Sequence, residues 1–132
     1  MVLFIGGAAQ GKTTVAKNRF SLSDSDFLDG ATCATEEIFS AKCITHYHLL
    51  IRRWMDSGKD PLALTERLCK ENPNGIVLMN EIGCGIIPME KQERLWRETV
   101  GRCGCLLAEH AHTVLRVFCG IPTVLKEESA HG

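Results

Sequence analysis

The residues Gly6-Gly7-Ala8-Ala9-Gln10-Gly11-Lys12-Thr13 stand directly after the apolar run Val2-Leu3-Phe4-Ile5. A triphosphate must be held without steric obstruction, and glycines let backbone N–H groups converge on its oxygens. Gly6 and Gly11 meet that need. Lys12 supplies a mobile positive charge for the β- and γ-phosphates, and the Thr13 hydroxyl is placed to ligate Mg²⁺. All the fixed positions of a P-loop are filled. The stretch Gly6 to Thr14 is therefore the expected nucleotide site, with GTP or ATP and Mg²⁺ as cofactors and Lys12 as a catalytic cation. No Asn-Lys-x-Asp base-reading motif selects between guanine and adenine.

A P-loop works with an acidic residue at the end of a second buried strand, where it orients the metal. Ile76-Val77-Leu78-Met79-Asn80-Glu81 has that shape. Asn80 takes the usual aspartate position, which leaves Glu81 as the nearest carboxylate and the expected partner of Thr13 at the metal. Its alternative reading is a solvated loop glutamate.

Three other groupings invite chemistry. In His46-Tyr47-His48 a neutral imidazole could attack a phosphate, but residues two apart on a helix point in different directions, so at most one faces the site. His46 is the candidate and His48 the expected core or surface histidine. Arg52-Arg53 could clamp phosphate through guanidinium forks, with a solvated helix end as the alternative. His110, His112, Cys103 and Cys105 suggest zinc, but their spacings fit no common zinc pattern.

These residues need elements to position them. Val2–Ile5 reads as a strand and Lys12–Phe20 as the helix after the phosphate loop, which is the context that a P-loop requires. The polar stretch 21–31 leaves room for a short strand around Phe27-Leu28. Thr35 starts a short helix, and Ile44, Tyr47, His48, Ile51, Trp54 and Met55 recur at helical spacing until Gly58. Asp60-Pro61 opens the next helix, and Asn72-Pro73-Asn74-Gly75 ends it. The continuous apolar run 76–79 predicts a strand buried on both faces. Met89 to about Ala111 reads as the longest helix. Val114–Phe118 reads as a last strand, terminated by the turn Cys119-Gly120-Ile121-Pro122. Alternating strands and helices imply a single α/β domain over residues 1–132, with a mainly parallel sheet flanked by helices.

Composition agrees with an ordinary globular chain, at 45% hydrophobic and 23% charged with a net charge of −1. Lysines and arginines number 15 against 16 acidic residues, so the basic excess of a nucleic-acid binder is missing. No apolar run reaches the roughly 18 residues of a membrane span. Seven cysteines, an odd number without Cys-x-x-Cys pairs or a secretory context, point to reduced thiols and a cytoplasmic protein. A short open sheet with unprotected edges predicts a homo-oligomer.

Two stretches together carry a resemblance. The P-loop and Asn80-Glu81-Ile82-Gly83-Cys84-Gly85-Ile86-Ile87-Pro88, followed by Arg94, Gly101 and Arg102, resemble the adenosylcobinamide kinase/adenosylcobinamide-phosphate guanylyltransferase family of cobalamin biosynthesis. The segment Val117-Phe118-Cys119-Gly120-Ile121-Pro122 is similar to that family's C-terminal strand and turn. The resemblance implies nucleotide bound at the P-loop, a corrinoid acceptor (adenosylcobinamide) phosphorylated on a hydroxyl, and GMP transferred through a guanylyl-histidine. It also places Arg94 and Arg102 in a helix after the Gly-x-Gly-Ile-Ile-Pro loop with a functional role, to which an intrahelical ion pair with a neighbouring glutamate is the alternative.

The middle of the chain aligns with the family in two ways. One matches His46 to the guanylylated histidine. The other, preferred because a single deletion after the first helix explains both the missing length and the spacing to Asn80, matches Cys43-Ile44-Thr45 and Leu49-Leu50 to an Asp-Cys-Leu-Thr-Leu-Trp-Leu segment. Lys42 then replaces an acidic residue, and the histidine-bearing strand and helix are missing. The expected function is an adenosylcobinamide kinase in which His46 is the one candidate for guanylyl transfer. The alternative is a non-catalytic nucleotide-binding paralogue.

Overall fold

The computed structural model describes residues 1–7, 11–82 and 90–128. Its strands are β1 (Val2–Gly6), β2 (Phe27–Asp29), β3 (Cys43–Thr45), β4 (Ile76–Asn80), β5 (Thr113–Phe118) and β6 (Ile121–Glu127). The helices are α1 (Lys12–Phe20), α2 (Tyr47–Asp56), α3 (Pro61–Glu71) and α4 (Lys91–His110), with short 3₁₀ turns at Asp24–Asp26 and Thr35–Ser40. The strands form one sheet in the order β2-β3-β4-β1-β5-β6, parallel except for β6, which runs antiparallel to β5. The chain is an α/β protein with a mainly parallel sheet flanked by helices.

Because successive side chains of a strand point to opposite faces, β1 divides its residues between two cores. Leu3 joins Ile44, Val77 and Val114 under α2, α3 and α4. Val2 and Phe4 join Cys43, Leu78 and Leu115 under α1. The connections leaving β1 and β4 therefore go to opposite faces, which opens a crevice at the carboxyl ends of those strands.

Local chemistry explains the helix borders. Pro61 occupies the first turn of α3, and the Asp60 carboxylate accepts from the Leu62 and Ala63 N–H groups, a cap worth about 1 kcal/mol. Between α2 and its neighbours, Tyr47 and Trp54 are fully buried with their rings edge to face at 5.7 Å. Each also has a polar partner, the Tyr47 hydroxyl with Thr65 Oγ1 at 2.7 Å and Trp54 Nε1 donating to Thr35 Oγ1 at 3.0 Å. Burial of rings this large stabilises the fold by about 2–3 kcal/mol each.

Two expectations are corrected. The helical pattern from Ile44 onward hides a strand, since Cys43–Thr45 forms β3, paired with β2 and β4, and α2 begins only at Tyr47. Ile44 is buried in the same core as Ile51 of α2, so a strand residue and helix residues share one apolar cluster and mimic a single period. At the other end, Ile121-Pro122 does not end the fold. The turn is Cys119-Gly120 alone, with φ of 50° and 75°, the two left-handed residues that a tight hairpin needs. Ile121 then starts β6, an edge strand, where Pro122 is tolerated.

Candidate functional site

The register of the sheet brings the predicted site residues to one edge. Gly6 lies opposite both Asn80 and Val117, and Asp29 lies opposite Thr45. Gly7 after β1, where the phosphate loop was expected, Glu81 after β4 and His46 after β3 therefore leave the same end of the sheet. Ala8, Ala9 and Gln10 of the loop, and Gly83 to Met89 with the Gly-Cys-Gly-Ile-Ile-Pro segment, lie outside the described residues.

Backbone shape is tightly specified here. A Cβ on Gly6 would stand 2.5 Å from the Val117 carbonyl oxygen, so only glycine lets β1 and β5 close. Gly11 has φ of 88°, the left-handed conformation that favours glycine, and heads α1 without a side-chain cap. Lys12 is buried, and its Nζ donates to the Gly7 carbonyl at 2.7 Å and the Gly6 carbonyl at 3.3 Å. Burial lowers the Lys12 pKa, while the negative charge of Glu81 acts in the opposite direction. Thr13 and Thr14, in the first turn of α1, are exposed.

The Glu81 N–H donates to the Gly6 carbonyl at 2.8 Å, so β1 holds the residue directly. Its carboxylate accepts from Arg116 Nε at 3.2 Å and Nη2 at 3.1 Å. The sequence reading missed Arg116. The signal was a lone charge in the apolar run Val114–Phe118, where the alternation turns it outward. The carboxylate and the Thr13 hydroxyl are hard oxygen donors of the kind that Mg²⁺ takes.

His48 is buried, and its Nδ1 accepts from the Asn80 N–H at 3.2 Å. Burial, helped by the charges of His46 and Lys12, pushes its pKa down to about 4. It is a neutral acceptor inside the core, as expected. His46 is half exposed on the other side of this histidine, with ring centroids 6.1 Å apart. Its Nδ1 lies 2.9 Å from Asp29 Oδ1 and 3.3 Å from Thr45 Oγ1. Asp29 also escaped the sequence reading, because its partner is 17 residues away and only the β2–β3 pairing joins them.

Other candidates are tied down elsewhere. Arg53 donates to the Gly30 and Cys33 carbonyls, each at 2.8 Å. Arg52 pairs with Glu93 at 3.0 Å and lies over the Trp96 ring. Neither side chain forms a phosphate clamp in this arrangement. Arg102 pairs with Glu98 one turn earlier on α4 at 2.9 Å. His112 Nδ1 faces the terminal amine, and His110 Nδ1 faces the Leu106 carbonyl. Among the described residues no three His, Cys, Asp or Glu side chains converge on a point that could hold a metal.

Beside Gly7, a largely apolar groove of about 910 Å³ runs between α4 and the sheet, with Gly7 and Glu81 among its lining residues. Met79, Gly101, Gly104, Val114 and Phe118 are among its walls. Gly104 has no room for a side chain, since a Cβ would meet Met79 Cε at 2.9 Å.

Compared with known families, residues 41–125 match the model of cobinamide kinase/cobinamide phosphate guanyltransferase. The chain belongs to that family. The match spans more than half of the chain, from just before β3 into β6, and includes His46, Glu81 and Arg116, while the stretch Gly6–Thr14, the expected phosphate loop, lies ahead of it. Family membership supports a role in cobalamin biosynthesis, with kinase or guanyltransferase chemistry on cobinamide at the level of the family. No curated protein matches the chain. Among the described residues no helix is long and apolar enough to cross a membrane.

Proposed function

We propose that this member of the cobinamide kinase family binds GTP or ATP with Mg²⁺ at Gly6–Thr14 and transfers the terminal phosphoryl group to the hydroxyl of a cobinamide, with adenosylcobinamide as the acceptor. The observation that carries this reading is that the Lys12 ammonium, held on the Gly6 and Gly7 carbonyls at the end of β1, feels the charge of Glu81, which directly follows the adjacent parallel strand β4. Loop N–H groups and Lys12 would neutralise charge as it spreads over the transferring phosphoryl group, so catalysis rests on positioning and electrostatics. Thr13 and Glu81 would hold the metal, whose charge adds to that neutralisation. Arg116 keeps the Glu81 carboxylate at the crevice. The groove beside α4, with Gly7 and Glu81 among its lining residues, adjoins the nucleotide site and is the candidate surface for part of the acceptor.

Two further features belong to this reading. Cys33, Cys43, Cys69 and Cys103 are buried unpaired thiols, as a reducing cytoplasm allows. Phe118, Ile121, Val124 and Leu125 are exposed on the β5–β6 hairpin, an apolar edge suited to a second copy of the chain.

Purified protein incubated with [γ-³²P]GTP or [γ-³²P]ATP and cobinamide should yield labelled corrinoid. Nucleotide affinity of Lys12→Ala should fall at least a hundredfold, about 3 kcal/mol. Nucleotide binding without any labelled corrinoid would favour the non-catalytic paralogue, and unchanged affinity in Lys12→Ala would overturn the phosphate-loop reading itself.

A further inference from the structure

The Asp29–His46 pair is built more firmly than a surface ion pair requires. Asp29 Oδ1 accepts the Ala31 N–H at 2.9 Å as well as facing His46 Nδ1. The loop after Asp29 is clamped by Arg53 through the Gly30 and Cys33 carbonyls, and the Gly30 N–H donates to the Thr45 carbonyl at 2.8 Å. A Cβ on Gly30 would lie 2.6 Å from the Thr45 oxygen and 2.8 Å from the His46 oxygen, so the loop presses directly on the histidine's backbone. His46 itself has φ of 52° and ψ of 42°, a left-handed conformation uncommon for a residue with a side chain. Such conformations persist where the surroundings over-determine them, and they cluster at functional sites.

The electrostatics specify the tautomer. The Ala31 N–H first, and His46 after it, hold the Asp29 carboxyl below its ordinary range. An ionised carboxylate can only accept, so the His46 Nδ1 facing it must carry hydrogen, and in the neutral ring the lone pair is then on Nε2. His48 cannot substitute, because it is buried and its Nδ1 already accepts the Asn80 N–H.

We propose that Asp29 is a positioning residue that holds His46 as the Nδ1–H tautomer at the carboxyl end of β3, the end of the sheet from which the expected phosphate loop also leaves, so that Nε2 takes the proton of the acceptor hydroxyl during phosphoryl transfer. The inference rests on the kinase reading above. In the step, the acceptor oxygen bonds to the γ-phosphorus while the bond from that phosphorus to the β,γ-bridging oxygen breaks. The nucleoside diphosphate leaves with that electron pair. The hydroxyl proton passes to His46 Nε2, the imidazolium is stabilised by the Asp29 carboxylate, and water later removes the proton.

The test uses the full chain with nucleotide, Mg²⁺ and cobinamide, in Asp29→Asn, His46→Gln and the double variant. Asn keeps an oxygen for the Ala31 and His46 N–H groups and removes the charge. Loss of the base should lower kcat about a hundredfold in His46→Gln. Asp29→Asn should lower it about tenfold with the nucleotide KM unchanged, and should add nothing in the His46→Gln background. Equal losses from Asp29→Asn in both backgrounds would reduce Asp29 to a structural residue and overturn the proposal. Label from [α-³²P]GTP retained on His46 after denaturation would make Nε2 a nucleophile and overturn it too.

Long-range ¹H–¹⁵N spectra provide a reading independent of turnover. Wild-type His46 should show hydrogen on Nδ1 and a bare Nε2, with the two tautomers mixing in Asp29→Ala. Hydrogen on Nε2 in the wild type would refute the positioning role even in an active kinase. The expected tautomer, found in a protein that binds nucleotide but phosphorylates no corrinoid, would leave Asp29 positioning intact and sink the kinase reading together with the destination given to the proton.

Discussion

The two halves of the site are built on different principles. On the side of the proposed phosphate loop, β1, β4 and β5 are strands of five or six residues with long parallel registers, and the geometry comes from backbone, namely Gly6 against Val117, Gly11 at the helix start and the Glu81 N–H on Gly6. On the histidine side, β2 and β3 have three residues each, and position comes from side chains, namely Asp29 on His46 and Arg53 on the 30–33 loop. Long strands can specify a loop by themselves. Short strands need side-chain bonds to make a corner reproducible, and those bonds then become available for chemistry.

The strongest way to break the backbone side is Gly6→Val. With 2.5 Å between the new Cβ and the Val117 oxygen, β1 and β5 must separate, and urea denaturation should show a loss of about 4 kcal/mol. A loss below about 1 kcal/mol would mean that the strands yield, and that backbone closure does not define this half.

The next effect joins the halves through His48. Its pKa is about 4 folded against 6.5 unfolded, so between those values the unfolded chain binds more protons. Stability therefore rises with pH across this window, and falls by up to about 3 kcal/mol as pH drops from 6.5 to 4. His48→Gln should flatten that slope in denaturation curves taken at a series of pH values. An unchanged slope would assign the dependence to other groups.

Arg53→Ala breaks the side-chain half. Two bonds from a charged donor to carbonyls are lost, and stability should fall by about 2 kcal/mol. Nucleotide affinity should stay within twofold, and a large loss would restore the phosphate-clamp role that the geometry denies it. Smallest of all is Arg102→Ala, whose partner Glu98 is an exposed neighbour one helical turn away. Thermal denaturation should place it within about 0.5 kcal/mol of wild type.

The contrast also explains what could be read in advance. β1, α1, α3, β4 and the body of α4 were legible because each carries its own local signal, such as glycine spacing, a proline at a first turn or a continuous apolar run. β3 was not, since Ile44 falls in step with the helix that follows it. β6 was hidden by a proline, which an edge strand tolerates and a central strand would not.

By itself, the order of residues carried the expectation of a phosphate loop and determined the α/β alternation and the family resemblance, because these depend on residue type at short spacing. Only the tertiary structure decided that Asp29 faces His46, that Arg116 holds Glu81 and that Arg53 serves a loop rather than a ligand. Those partners lie between 17 and 35 residues apart. At that separation no local propensity acts, and the register of neighbouring strands and the packing of α2 decide which side chains meet.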